Sequence, residues 1–361
     1  MTNPLRVLIV DDSALVRRLL RQMLESDPSI RVVGEAADGK TAIALTAELR
    51  PDVITLDVRM PVLDGVETTR QIMAYHPTPI LVLSAAVSGQ DATTSFEALE
   101  AGALEVMEKP SLTNPDELDH LRRMLIKRVK LIARIKVVTH LRGRRHPPPA
   151  LYGSPDDTSH HVRTTRVAPG QFPVVVIGAS TGGPKVVRQL LAGLPSTFAA
   201  AVIVVQHIAQ GFSVGMAEWL AGASAIPLAL ATEGMPLRPG HAVLAPDQSD
   251  LLINPDGTIH LNTSPLLLQR PSIDIAMMAV AELYGANAVG VLLTGMGRDG
   301  AVGMRAIRRA GGLTIAQDEA SCTIFGMPRA AIELGAAKMV LSPEEILVVL
   351  CERFARPASM L

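Results

Sequence analysis

The first third of the chain alternates between short apolar runs and longer segments in which apolar residues recur with a helical period. The apolar runs are RVLIV, RVVGEA, DVITL, PILVLS and LEVMEK, and the helical segments that follow them are residues 14–26, 41–49, 66–75, 92–101 and 116–134. Short, β-branched runs of this kind are typical of buried parallel strands. Five strand-then-helix units predict a (βα)5 domain, a five-stranded parallel sheet with helices on both faces. We assign this domain to residues 1–134.

A second alternation starts at residue 173. Its strand-like runs are PVVVIG, AAVIVVQ, IPLALA, AVGVLL and LTIAQ. They predict a second doubly wound, mainly parallel α/β domain over residues 173–361. Between the third and fourth runs, LLINPDGTIHL carries a Pro-Asp-Gly turn and predicts an antiparallel β-hairpin on the otherwise parallel sheet.

Residues 135–172 follow neither pattern. This stretch gathers Pro, Gly, Ser, Arg and His, and contains three consecutive prolines at 147–149. Low hydrophobicity gives such a segment little reason to collapse, and the prolines stiffen it. We therefore expect a flexible linker between the two domains.

Composition narrows the classes of function. At 361 residues with 48% hydrophobic residues, the chain can fill two cores. A formal net charge of −1 and an aromatic content of 3% argue against nucleic-acid binding, which needs basic surfaces or stacking platforms. The sequence has no apolar run of eighteen residues and no secretory signal at its N-terminus, so we expect a cytoplasmic protein without membrane insertion.

Polar residues follow four of the predicted strands in the first domain. Asp11 and Asp12 follow the first strand, Asp57 closes the third, Ser84 the fourth and Lys109 the fifth. The carboxyl ends of parallel strands meet at one edge of a sheet, so these side chains should converge. Three crowded carboxylates repel one another unless a cation lies between them, and hard oxygen ligands favour Mg²⁺. The alternative is that they only cap helices and loop ends, which does not explain why they gather at one edge.

The surrounding motifs resemble those of a known family. VDDS, LDVRMPVLDG, LSA and KP stand in register at residues 10–13, 56–65, 83–85 and 109–110. With them, residues 1 to about 125 resemble a response-regulator receiver domain. The resemblance implies that Asp57 accepts a phosphoryl group from a histidine kinase, and that Asp11 and Asp12 hold Mg²⁺ together with it. It further implies that Ser84 contacts the phosphoryl oxygens and Lys109 pairs with the new charge.

One position departs from the receiver pattern. Receivers commonly carry an aromatic switch residue three positions before the lysine, where this chain has Val106. We expect phosphorylation to survive this change, while the route by which the signal leaves the domain is open.

The second domain begins with VVVIGASTGG, an apolar run followed by a tight turn with Ser180 at its apex. A glycine-flanked serine between a strand and a helix is typical of a nucleophile elbow. The alternative is a glycine-rich turn that binds a dinucleotide phosphate. A dinucleotide site calls for G-x-G-x-x-G and for an acidic residue at the end of the second strand. This chain instead has Gly178 followed by the glycine pair Gly182-Gly183, and its second strand ends in Gln206-His207.

His207 and Asp299 are candidates to complete a catalytic triad with Ser180. His207 follows the strand after Ser180, where a general base would lie, and Asp299 sits in a glycine-rich turn that follows another strand. An aspartate bonded to the imidazole fixes its tautomer and stabilises the imidazolium. Rival candidates for the base are His241 and His260, and rival candidates for the carboxylate are Asp247, Asp250 and Asp318. Their positions in turns or in the hairpin favour His207 as the base.

A second set of motifs covers this domain. IGASTGG, QH, PGHA, RPSID, LLTGMGRDG and DEASCTIFGMPRAAI stand at residues 177–183, 206–207, 239–242, 270–274, 292–300 and 318–332. Residues 173 to about 355 resemble the catalytic domain of the chemotaxis protein-glutamate methylesterases. The resemblance implies that Ser180, His207 and Asp299 are the triad and that Met296 donates a backbone N–H to the oxyanion. Thr181, which is also next to a glycine, is the second candidate donor.

The resemblance also implies what the protein does. Proteins of this family remove methyl groups from glutamates of methyl-accepting chemoreceptors, release methanol and commonly deamidate receptor glutamines, and we expect the esterase reaction to need no cofactor. We further expect the unphosphorylated receiver to cover the Ser180 cleft. The alternatives are an adaptor that binds receptors without chemistry, which would not need the Ser/His/Asp set, and a general carboxylesterase.

Overall fold

The computed structural model describes residues 3–84, 90–110, 115–135, 137, 172–264 and 270–355. The linker predicted at residues 135–172 therefore lies almost entirely outside the described residues. Within them, two parallel sheets are covered by helices, which confirms the predicted α/β fold class.

The N-terminal domain has a five-stranded parallel sheet in the order β2-β1-β3-β4-β5. The strands are β1 Leu5–Val10, β2 Ile30–Ala36, β3 Val53–Asp57, β4 Ile80–Ser84 and β5 Glu105–Glu108, and the helices are α1 Ala14–Glu25, α2 Gly39–Leu49, α3 Gly65–Tyr75, α4 Gln90–Ala101 and α5 Pro115–Ile132. Every residue of β3 and β4 is buried, as expected for central strands covered on both faces. Gly65 packs against β3 so closely that a Cβ there would lie 2.4 Å from the carbonyl oxygen of Asp57.

The C-terminal domain has a seven-stranded sheet in the order β14-β13-β12-β6-β7-β9-β8, and each of its adjacent pairs is parallel. The strands are β6 Val174–Ala179, β7 Ala201–Gln206, β8 Leu228–Leu230, β9 Ala242–Leu244, β12 Ala288–Leu292, β13 Leu313–Gln317 and β14 Met339–Leu341. The helices are α6 Gly183–Gly193, α7 Ser213–Ala221, α8 Ile273–Tyr284, α9 Ala301–Arg309, α10 Met327–Glu333 and α11 Pro343–Phe354. Strand order reverses at β6, so a crevice opens at the carboxyl ends of β6 and its neighbours.

The hairpin is antiparallel, as predicted, but its predicted place on the parallel sheet was wrong. Strands β10 Asp250–Ile253 and β11 Ile259–Asn262 form a separate two-stranded sheet. The edge of the large sheet next to β7 is occupied instead by β9 and β8, and β9 was not predicted.

The two domains pack against each other through α4, which lies on α6 and α7. Phe96 of α4 is fully buried, stacks on Trp219 with a centroid distance of 5.5 Å, and meets Phe212 edge to face at 6.4 Å. Aromatic pairs of this kind contribute about 0.5–1.5 kcal/mol beyond the area they bury. A salt bridge of 2.6 Å between Arg188 and Glu100 flanks them. The receiver is thus docked on the part of the second domain that follows β6 and β7.

Candidate active site

Ser180 lies at the turn between β6 and α6, at the crevice where strand order reverses. Its amide donates to the carbonyl oxygen of Thr294 at 3.0 Å, and its own carbonyl accepts from Gly183 at 2.8 Å. Gly182 has φ of 78°, and a Cβ there would lie 2.3 Å from Thr323 Oγ1. Glycine is therefore needed at this turn both for its backbone conformation and for space.

His207 meets Asp299 in a hydrogen bond of 2.8 Å between Nε2 and Oδ2. The amide of His207 donates to the carbonyl oxygen of Ala179 at 2.9 Å, which fixes the histidine beside the serine turn. Because an ionised carboxylate only accepts, Nε2 must carry the proton in this contact. The nitrogen left with a lone pair is Nδ1, and this nitrogen is the candidate general base.

The Asp299 carboxylate is held at the N-terminus of α8. It accepts from the backbone amides of Ile273 at 2.8 Å and Asp274 at 2.9 Å, and from Ser272 Oγ at 3.1 Å. A helix N-terminus stabilises negative charge. Burial acts to raise the pKa of Asp299, but the hydrogen bond and charge of His207 together with the two amides outweigh it, so that its pKa is lowered. Asp299 is thus a fixed anion in line with the imidazole.

The hydroxyl of Ser180 is not joined by a hydrogen bond to the described His207–Asp299 pair. Ser180 Oγ makes no hydrogen bond to any of the residues that the structure describes, although the hydroxyl group belongs to a residue only 5% exposed. The segment that leads to Asp299 nevertheless packs directly on it, since a Cβ at Gly295 would lie 2.6 Å from Ser180 Cβ. Catalytic hydrogen bonds are often long without substrate and tighten when it binds. The structure therefore brings the three elements together and joins two of the three side chains.

Two backbone N–H groups face no acceptor. Neither the amide of Thr181 nor that of Met296 donates a hydrogen bond within the described part of the chain. Gly297, with φ of 99°, follows Met296, and Gly182 follows Thr181. Free backbone amides near a serine nucleophile are candidates to stabilise an oxyanion.

The rival histidines are occupied elsewhere. His241 contacts the carbonyl oxygen of Pro239 at 3.1 Å, and His260, on the hairpin, pairs with Glu233 at 3.1 Å. Both are exposed. Neither contacts Asp299, which leaves His207 as the candidate base.

The rival carboxylates also have other partners. Asp247 accepts from two amides at the start of α7, and Asp318 accepts from the loop that follows it. Asp250 is fully buried and accepts from the amide of Ser272 at 2.8 Å. Ser272, which the sequence did not single out, therefore connects Asp250 to Asp299. Ser272 is the third residue of the RPSID motif and comes just before a helical segment, so the sequence could have identified it as a helix N-cap.

The predicted carboxylate cluster forms in the receiver. One oxygen of each of Asp11, Asp12 and Asp57 lies within 4.8 Å of the others. Lys109 Nζ lies 2.8 Å from Asp11 and 2.6 Å from Asp57. Burial raises the pKa of Asp57 although Lys109 opposes the shift. Burial alone would lower the pKa of Lys109, but the two carboxylates more than offset it and its pKa is raised.

Ser84 ends β4 and is buried; its carbonyl oxygen accepts from the Lys109 amide at 2.9 Å.

The receiver reaches the residue next to Ser180. Glu105 Oε2 accepts from Thr181 Oγ1 at 3.0 Å, and the other Glu105 oxygen pairs with Arg128 at 2.6 Å. Burial raises the pKa of Glu105, and the charge of Arg128 opposes the rise. Val106, the departure from the receiver pattern, follows Glu105 and is buried in the apolar core. The contact of Glu105 could not be expected from the receiver motifs, because it depends on how the domains dock.

Comparisons with known proteins agree with this architecture. Residues 175–350 match the family model "CheB methylesterase" and residues 7–121 match "Response regulator receiver domain". The chain is 44% identical over 349 residues to "Protein-glutamate methylesterase/protein-glutamine glutaminase 1" of Syntrophus aciditrophicus, covering 96% of this chain and 97% of that one. It is 45% identical over 348 residues to "Protein-glutamate methylesterase/protein-glutamine glutaminase 2" of Anaeromyxobacter dehalogenans, covering 95% of each.

Among solved structures, the Thermotoga maritima CheB methylesterase catalytic domain is 35% identical, with a TM-score of 0.49, and the match covers 51% of this chain and 99% of that one. None of the described helices is long and apolar enough to cross a bilayer.

Proposed function

The chain belongs to the CheB methylesterase family, and from this premise we propose that it is a phosphorylation-regulated serine hydrolase of methyl-accepting chemotaxis receptors. It hydrolyses glutamate methyl esters with release of methanol, and it deamidates receptor glutamines. The main support for the proposal is the 2.8 Å contact of His207 Nε2 with Asp299, which leaves Nδ1 as the basic nitrogen of a histidine whose amide is bonded to Ala179, the residue before Ser180.

In the mechanism we propose, Ser180 Oγ attacks the γ-carbonyl carbon of a methylated glutamate on a receptor helix while His207 takes its proton. The negative charge that develops on the carbonyl oxygen is stabilised by the free amides of Thr181 and Met296. Protonated His207 then returns the proton to the leaving oxygen, and methanol departs. General base action contributes about 10²–10⁴-fold, and one oxyanion donor about 2.7–4 kcal/mol.

The resulting acyl-enzyme is hydrolysed by the same groups. His207 takes a proton from water, the hydroxide adds to the ester carbon, and Ser180 leaves with the proton, which restores a carboxylate on the receptor. Ammonia replaces methanol as the leaving group when the substrate is glutamine. Each proposed step uses only side chains and backbone amides of this chain and a water molecule, and no cofactor takes part in it.

The receiver supplies the control. Asp57 accepts a phosphoryl group from a histidine kinase, and Asp11 and Asp12 hold Mg²⁺ with it. Three carboxylate oxygens within 4.8 Å are the hard donor set that this ion favours. When bound, the ion neutralises charge on the phosphoryl oxygens. Lys109, already placed between Asp11 and Asp57, pairs with the new charge, and Ser84 contacts the phosphoryl oxygens.

We expect the docked receiver to keep the activity low without phosphorylation. Glu105 hydrogen-bonds to Thr181, the residue next to Ser180, so the docked receiver occupies the side from which a receptor helix would approach the hydroxyl. Shifting the equilibrium between the docked and the released receiver from 1:99 to 99:1 takes about 5.5 kcal/mol. A phosphoryl group that rearranges Ser84 and Lys109 can supply a differential of this size. We place the domain boundaries at residues 1–134, 135–172 and 173–361, and the reaction in the cytoplasm.

The covering contact makes a testable prediction. In Glu105→Gln the charged acceptor of the Thr181 hydroxyl becomes a neutral one, and we expect the unphosphorylated protein to become roughly tenfold more active because the docked form loses about 1.4 kcal/mol. The measurement is methanol release without phosphodonor. Glu97→Gln, an exposed charge change on α4, is the matched control and should leave the rate unchanged. Equal rates for both variants and the wild type would remove Glu105 from the covering contact.

A comparison of substrates separates the proposal from a general carboxylesterase. We expect methanol release from methylated receptors to be far faster, per mole of enzyme, than turnover of small p-nitrophenyl esters. The reverse preference would point to the general esterase, and receptor binding without turnover of either substrate would point to an adaptor.

A further inference from the structure

The receiver covers a cationic stretch beside Ser180. Lys185 and Arg188 lie on the first two turns of α6, three residues apart, and are therefore neighbours on one face of the helix. Arg188 pairs with Glu100 of the receiver at 2.6 Å and lies over the Trp219 ring at 4.8 Å. Lys185 lines the cavity between the domains and makes no hydrogen bond or salt bridge to a described residue. Burial lowers the pKa of Lys185, and the charge of Glu100 opposes this.

The element that covers this stretch is itself an acidic helix. Phe96 and Glu100 are four residues apart on α4, so they share one face of the helix. Phe96 fills the space between Phe212 and Trp219, and Glu100 reaches Arg188. α4 thus presents one aromatic and one acidic side chain to the surface formed by Lys185, Arg188, Phe212 and Trp219, which we call the α6–α7 surface.

Release of the receiver leaves the α6–α7 surface without its partners. Phe212 and Trp219 are 0% and 6% exposed while Phe96 contacts both rings, and both lose that contact when α4 leaves. Arg188, on the helix that follows the Ser180 turn, then lies over the Trp219 ring without its acidic partner. A surface of this composition fits a helix that carries apolar and acidic side chains on one face.

We propose that α4 occupies the place of the substrate, and that the α6–α7 surface binds the acidic receptor helix during the reaction. Carboxylates about one turn from the scissile glutamate pair with Lys185 and Arg188, and an apolar side chain of the receptor takes the place of Phe96. The receiver and the receptor therefore compete for the same side chains. This inference rests on the proposed function and names the part of the enzyme that selects its substrate.

The experiment uses the full-length protein treated with acetyl phosphate and two substrates, a methylated receptor and p-nitrophenyl acetate. In Arg188→Gln we expect the KM for the receptor to rise about fivefold with kcat unchanged, because one ion pair with the substrate is lost. Turnover of the small neutral ester by the phosphorylated variant should not fall. Turnover of this ester by the unphosphorylated variant should rise, because the substitution also removes the salt bridge with Glu100 that helps to dock the receiver. Lys185→Gln should raise the receptor KM similarly, and it tests the same surface without touching the Glu100 pair.

Glu100→Gln is the matched control, because it breaks the same salt bridge from the receiver side. It should raise small-ester turnover of the unphosphorylated protein and leave the receptor KM of the phosphorylated protein unchanged. Arg309→Gln, an exposed arginine at the end of α9, should change neither. The inference is overturned if Lys185→Gln and Arg188→Gln leave the receptor KM unchanged, or if they lower turnover of both substrates equally. A wild-type protein that hydrolyses the small ester but releases no methanol from receptors would instead contradict the proposed function itself.

Discussion

Replacing Ser180 with alanine stops methanol release from methylated receptors, with an expected loss of about 10⁶-fold in kcat. The loss is this large because the hydroxyl is the atom that attacks the ester, and neither the imidazole nor the free amides can replace it. Only one oxygen atom is removed from a turn that is held by backbone hydrogen bonds to Thr294 and Gly183. The fold and the binding surface should therefore survive.

The measurement is methanol release per mole of protein, alongside receptor binding and thermal unfolding of the same sample. We expect both of the latter to match the wild type. Residual turnover above about one hundredth of the wild-type rate, in a variant that binds receptors normally, would exclude Ser180 as the nucleophile.

Replacing Asp57 with asparagine abolishes phosphoryl labelling from acetyl phosphate. The neutral amide oxygen is a far weaker nucleophile towards phosphorus than a carboxylate oxygen. The substitution also removes one of the three carboxylates in the cluster. Lys109 keeps its salt bridge with Asp11, so the receiver should stay folded. Methanol release by this variant should then be the same with and without the phosphodonor.

Asp52→Asn provides the control for the labelling experiment. Asp52 lies just before β3, at the opposite end of the strand that Asp57 closes, and it accepts a hydrogen bond from the Arg6 amide. We expect it to label as the wild type does. Undiminished labelling of Asp57→Asn would move the phosphorylation site to another residue.

The sequence predicted the residues that follow strands better than those that depend on packing. Asp11, Asp57, Ser180 and His207 each lie where an apolar run stops, and the topology of a parallel sheet brings such positions to one edge. The same rule left several carboxylates open as the partner of His207, and Asp299 was selected by the family resemblance, with which the 2.8 Å contact agrees.

Features that depend on tertiary packing were missed. Strand β9 has only three residues and follows a Pro-Gly turn, so its apolar character is indistinguishable from that of a buried loop. Glu105 and Arg188 are charged residues of a kind that is usually solvated, and their contacts with Thr181 and Glu100 exist only because the two domains dock. Ser272 caps its own helix, but the two carboxylates that it connects, Asp250 and Asp299, are 22 and 27 residues away along the chain.

We propose that phosphorylation of the receiver uncovers a serine esterase. Methanol release from methylated receptors by the full-length protein, with and without acetyl phosphate, tests this directly. We expect a slow rate that rises many-fold when the phosphodonor is added. An equal rate under both conditions, or no methanol under either, would contradict it.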